Sequence, residues 1–134
     1  MEKVSYDLAK EEFNRWLDFK RVKPKVREDY KETIESLVEN IQFGFLRIDE
    51  DCNLIQELIF PIEADIVTRE LTYKPRVKVG EIHNALKGIK ASDAHEMIKA
   101  IAAHLIGMPK GFLSNLDTED YSICQNIALF FIPK

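Results

Sequence analysis

Arg69–Ile82, RELTYKPRVKVGEI, and Ile101–Phe131, IAAHLIGMPKGFLSNLDTEDYSICQNIALFF, are the two stretches whose reading decides the fold. From Ile66 to Tyr73 the apolar Val67, Leu71 and Tyr73 alternate with Thr68, Glu70 and Thr72, a period of two that predicts a strand. Arg69 falls on the apolar side, so one end of this strand is expected to face water, and Pro75 closes it. Val79–Ile89 then reads as a short helix ending near Gly88. Ser92 or Asp93 caps the next, and Glu96 stands where a capping box with Asp93 needs it. Met97, Ile98, Ile101, Ala102 and Leu105 form its apolar face, and Gly107-Met108-Pro109 ends it. After a turn or one short helical piece over Lys110–Leu116, Asp117 caps a last helix. Asp120 is placed to complete that box, and Leu116 and Tyr121 occupy the positions of a hydrophobic staple. Ile123, Cys124, Ile127, Phe130 and Phe131 carry the helix on.

Working outward, Ser5 can cap a helix to about Phe19 with Leu8, Phe13, Trp16 and Leu17 as its stripe. Pro24 fits the first turn of a second helix reaching about Phe43, in which Val26, Tyr30, Ile34, Leu37, Val38 and Ile41 recur at helical spacing. Gly44 stops it. Leu46 and Ile48 alternate with Arg47 and Asp49, Asp49–Asn53 are turn formers, and Leu54–Phe60 returns as a second strand ended by Pro61. The expected architecture is α+β and helix-rich: a hairpin near 45–60, a further strand at 66–73, and helical N- and C-terminal parts. Residues 1–44 read as a helical arm of two helices and 45–134 as an α+β unit, together one compact domain.

The chain has 134 residues and a formal net charge of −4, enough length to bury a core without staples and the wrong balance for nonspecific binding to DNA or RNA. Its two cysteines, Cys52 and Cys124, have no spacing to other ligands, which points to a reducing cytoplasm rather than a disulfide framework. The charged start MEKVSYDLAKEEF has no apolar core of a secretion signal, and no run approaches the roughly 18 apolar residues of a membrane span.

Tests for chemistry return little. Asp49-x-Asp51-x-Asn53 matches the first ligands of a calcium loop, but Leu54 replaces the turn glycine and Phe60 the bidentate glutamate. An acidic hairpin turn is the better reading. His95 and His104 lie about half a turn apart at roughly 100° per residue, so they cannot share a metal. These two and His83 are expected to be structural, His104 near a helix C-terminus where partial positive charge is favoured. No nucleophile elbow and no glycine-rich phosphate loop is present, and neither a catalytic set nor a cofactor is expected. The basic run of Lys20, Arg21, Lys23, Lys25 and Arg27 is bracketed by Asp18, Glu28 and Asp29, which favours a solvated turn over a phosphate-binding surface. The run Ile127–Ile132 is apolar on all sides, so it is sandwiched in the core or meets another chain.

From Leu71 onward the order of signals resembles the bacteriophage tail assembly chaperone family, the Mu-like tail assembly chaperones and their relatives. Leu71-Thr72-Tyr73-Lys74-Pro75-Arg76 matches an extended "L-T-hydrophobe-R/K-x-P" stretch, with Val77, Val79 and Gly80 as the small-residue entry into a helix. Leu105-Ile106-Gly107-Met108-Pro109 matches "L-x-G-hydrophobe-P"; Leu113 and Leu116-Asp117-Thr118-Glu119-Asp120-Tyr121 match the leucine and the "L-x-x-x-D-Y" that follow. The likeness covers about residues 59–131, and the first 44 or so depart from the family's compact length. It implies a non-catalytic protein of the bacterial host cytoplasm, absent from the mature virion. The implied partners are the tape measure protein, held soluble, and tail tube subunits, brought to it, by a monomer or a homo-oligomer. In several phages a ribosomal frameshift also makes a longer form. The side chains expected to meet the client are Leu105, Phe112, Leu113, Leu116, Tyr121, Phe130 and Phe131. The rival readings are a structural component of tail or neck, and a small nucleic-acid-binding regulator using Lys20–Arg27.

Overall fold

The Ser5 hydroxyl accepts the Leu8 N–H and starts α1 (Tyr6–Phe19), the cap that its sequence predicts. The computed structural model describes residues 3–132. On α1, Ala9, Phe13, Trp16 and Leu17 are buried, while Leu8, expected on the same stripe, is exposed. The Phe13 and Trp16 rings stack with centroids 5.3 Å apart.

The second predicted helix is in fact two, α2 (Pro24–Asp29) and α3 (Lys31–Gln42). Tyr30 between them takes φ −107° and ψ 24°, outside the helical well, and leaves Val26 and itself only half-buried. What fixes the short α2 is Arg27, whose guanidinium donates to the Val22 carbonyl at 2.9 Å and to Asp18 at 2.9 Å. Ile34, Leu37, Val38 and Ile41 on α3 are buried as predicted, and α3 packs on α1.

Three antiparallel strands follow in the order β1 (Leu46–Ile48), β2 (Leu54–Ile62) and β3 (Thr68–Tyr73), so the chain is α+β with helical ends, as its periodicity predicts. Leu46 faces Gln56 and Ile48 faces Leu54. The turn between them is organised by Asp49, whose carboxylate accepts the N–H groups of Asp51 and Asn53 and the Asn53 side-chain amide. Cys52 takes φ 63° there.

β2 does not stop at Phe60 but continues through Pro61 to Ile62. Proline is tolerated on a strand edge, and β1 reaches no further along β2 than Gln56, leaving that edge uncovered by β1. β3 starts at Thr68, two residues later than expected, with Leu71 and Tyr73 buried and Ile66 and Val67 exposed. The Tyr73 hydroxyl donates to the fully buried Gln56 Oε1 at 2.6 Å, satisfying a polar group inside the core.

α4 (Val79–Ala85) is shorter than predicted and gives way to turns ending at Gly88. Its first N–H groups are met from within: Glu81 accepts the Lys78 N–H at 2.8 Å. α5 (Ala94–Ile106) opens on Asp93, which accepts the Glu96 N–H at 3.2 Å. The expected box is half-made, because the Glu96 carboxylate pairs with Lys110 at 2.8 Å instead. α5 ends in a Schellman motif: Gly107 takes φ 72°, its N–H bonds the His104 carbonyl, and Met108 N–H bonds Ala103. Lys110–Asn115 is a 3₁₀ turn, then α6 (Thr118–Ala128) begins at Asp117, which accepts the Glu119 N–H at 3.0 Å.

The chain divides into two compact units, one of 1–58 with Glu70–Pro75, the other of Ile59–Arg69 with 76–134. The first has its core in α1, α3 and the β1–β2 hairpin: Phe13, Trp16, Leu37, Val38, Leu46 and Leu54. The second is built on α5, with α4, the 3₁₀ turn and α6 packed against it. Ile127, Ala128 and Phe131 of the apolar C-terminal run are buried in that second core, and Leu129 and Phe130 are half-buried.

Candidate functional site

Asp120 has a role that its sequence reading did not give it. Instead of closing a capping box on α6 it is fully buried, and its two oxygens accept the N–H groups of Ile59 at 2.8 Å and Phe60 at 3.0 Å. Successive N–H groups of a regular strand point to opposite edges, so their convergence on one carboxylate marks a local departure from the pleat. The charge is accommodated because backbone donors replace the water it gave up. Within the second unit Asp120 thus ties α6 to the strand segment that carries Phe60.

Of the residues expected to meet a client, Leu105, Leu113, Leu116 and Phe131 are core side chains in this conformation, at 1, 2, 9 and 8% exposure. Phe112, Tyr121 and Phe130 are half-buried. The large apolar side chains that the second unit does leave open are others: Ile66 at 82%, Val79 at 67%, Phe60 at 54%, with Val67 and Met108 less so. Phe60, Ile66 and Val67 all belong to the β2–β3 hairpin. Burying an exposed side chain of this size is worth about 1.5–3 kcal/mol, so these positions have the most to gain from a partner. Sequence pattern missed them, since alternation marks a residue as apolar without saying whether anything covers it.

A cavity of about 180 Å³ lies between α5 and α6. Leu113 and Leu116 form apolar lining; His95, Lys99, Ser114, Thr118 and Tyr121 bring polar groups. The staple pair Leu116 and Tyr121 therefore share a wall. The His95 ring meets Tyr121 edge-on at 6.3 Å. The Tyr121 hydroxyl is buried with no hydrogen-bond partner, and burial, then Cys124 and Glu96, push its pKa up. Lys99 donates to the Ser114 hydroxyl at a long 3.4 Å.

Several other ionisable groups are engaged locally. His104 lies 3.1 Å from Glu81, linking the last turn of α5 to α4, and His83 is exposed. Asp49 has its carboxyl held below the usual range first by the Asn53 side chain, then by backbone N–H groups, the arrangement of a turn rather than of a calcium loop. Among the described residues no three His, Cys, Asp or Glu side chains gather closely enough to hold a metal ion. In the basic run, Lys20 donates to the Pro75 carbonyl and stands over Trp16, Arg27 ties α2 to α1, and Lys25 pairs with Asp29 at 3.5 Å. Arg21 and Lys23 remain exposed. No helix among the described residues is long and apolar enough to cross a membrane. No protein-family model, curated protein or solved structure matches the chain.

Proposed function

We propose that this protein is a non-catalytic assembly factor that covers the apolar face of a helical client, and that the client is a phage tape measure protein brought together with tube subunits. The observation that carries the reading is the set of open apolar side chains on the second unit, Phe60, Ile66, Val67, Val79 and Met108. An amphipathic helix presents its own apolar stripe, and the two surfaces gain by leaving water together. The likeness to tail assembly chaperones supplies the identity of the client, and it falls over 59–131, the stretch that forms this unit apart from Glu70–Pro75. Release is built in when such a surface is modest in area: a tube subunit offering more complementary contact displaces it.

The test is co-expression with the long helical tape measure chain of a tailed phage. The chain should hold the client in the soluble fraction and co-elute with it. Phe60→Ser with Ile66→Ser should lower recovery several-fold without lowering the melting temperature, since both side chains already face water. A client that remains insoluble beside the unaltered chain refutes the proposal.

A further inference from the structure

Phe60 keeps step with Leu54, Gln56 and Leu58, which are buried on β2, yet it is 54% exposed. Asp120 holds its backbone N–H, so the ring is presented to water from a fixed strand. The chain then turns through five exposed residues, Glu63-Ala64-Asp65-Ile66-Val67, before β3 begins. Between Phe60 and Thr68 it carries two acids and no base. Among the described residues neither the Glu63 nor the Asp65 side chain makes an ion pair or hydrogen bond, and neither does that of Arg69, the next charge along. The open apolar side chains of this hairpin are thus set beside negative charge that no ion pair answers.

That charge decides what can cover the surface. A second copy meeting it hairpin to hairpin would bring the same two acids to the same place, and like charges across an interface repel. An anionic lipid surface is disfavoured for the same reason. A partner that carries Lys or Arg beside its apolar side chains gains twice: the long stems add apolar contact, and the charged heads meet the carboxylates. We propose, on the reading that this unit covers a helical client, that the β2–β3 hairpin selects an amphipathic helix whose apolar stripe is flanked by Lys or Arg. Phe60, Ile66 and Val67 take the stripe, and Glu63 and Asp65 take the flanking cations. Exposed ion pairs contribute little each, so the acids set preference and rate of encounter while the apolar side chains hold the helix.

Two synthetic helices, titrated with the full chain and followed by fluorescence anisotropy, provide the test. Both carry the same leucine stripe; one is flanked by lysines, the other by glutamates. At about 100 mM salt the lysine helix should bind with a Kd on the order of 10–100 µM, and the glutamate helix at least about tenfold more weakly. Raising the salt to about 500 mM should shrink that gap several-fold. Glu63→Lys with Asp65→Lys should reverse the preference at an unchanged melting temperature, since both side chains face water. Glu11→Lys with Glu39→Lys, an equal change of net charge at two exposed acids of the first unit, should keep it. Phe60→Ser with Ile66→Ser should weaken binding of the lysine helix several-fold.

Equal binding of the two helices overturns the proposal, as does failure of both to bind. So does a preference that survives reversal at 63 and 65, one that the first-unit variant erases as fully, or lysine-helix binding indifferent to Phe60 and Ile66. The two readings fail separately. Charge-selected binding beside a tape measure chain that stays insoluble removes the tape measure client alone. A soluble client beside helices that bind alike removes the charge selection alone.

Discussion

Replacing Asp120 by alanine is the sharpest test of how the second unit is held together. The carboxylate accepts two backbone N–H groups, Ile59 at 2.8 Å and Phe60 at 3.0 Å, and is wholly buried. Hydrogen bonds to a charged group are worth about 1.5–3 kcal/mol each, so the pair contributes about 3–6 kcal/mol gross. Removing the carboxylate also removes the cost of keeping a charge out of water, which offsets part of that loss. The expected net destabilisation for Asp120→Ala is about 2–4 kcal/mol, and roughly half as much for Asp120→Asn, which keeps one acceptor oxygen. Chemical denaturation should show a lower midpoint at unchanged slope, the mark of lost stability rather than altered compactness. Hydrogen exchange should show Ile59 and Phe60 amides losing protection first, since local opening frees those two donors. If Asp120→Ala unfolds within about 0.5 kcal/mol of the unaltered chain with both amides still protected, the latch carries no weight.

Two further predictions concern the other unit and the cavity. Glu35 accepts from Lys10 Nζ at 2.8 Å and from the Tyr6 hydroxyl at 2.9 Å, and these bonds, Lys10 first, hold its carboxyl below the usual range. A depressed carboxylate adds stability that is present above its unfolded pKa and lost as pH falls through the folded one. Glu35→Gln should therefore cost up to about 1 kcal/mol at neutral pH, for an exposed pair, with the gap closing as pH falls through and below the usual carboxylate range; a gap that widens in acid contradicts the assignment. Tyr121→Phe deletes a hydroxyl that has no partner, so thermal melts should find the variant unchanged or more stable by up to about 1 kcal/mol, and a loss of that size would mean the hydroxyl is bonded.

What could be read from the sequence was what is local in it. Ser5, Asp93 and Asp117 bond N–H groups two or three residues away, and Gly107 ends α5 through carbonyls within one turn, so residue type and spacing suffice. The helical faces of α1 and α3 were legible for the same reason. Asp120 was not, because its acceptor atoms serve donors about sixty residues earlier, and a capping box was the nearest local use for an acid at that spacing. Glu96 was drawn away from its box by Lys110 in the same manner. The split at Tyr30 and the passage of β2 through Pro61 depend on what neighbours each segment, which periodicity does not contain. The client residues show the limit most plainly: Leu113 and Ile66 are both apolar, yet one is covered and the other open.

The division between units falls inside strands, at Leu58–Ile59 in β2 and at Arg69–Glu70 in β3, and again after Pro75. During synthesis the first unit therefore stays unfinished until Pro75 has left the ribosome, and the second borrows eleven residues that precede that point. Neither can be excised clean by cutting the chain once: a fragment 59–134 holds all of the second unit but carries Glu70–Pro75 of the first, and a fragment 1–75 holds all of the first but carries Ile59–Arg69 of the second.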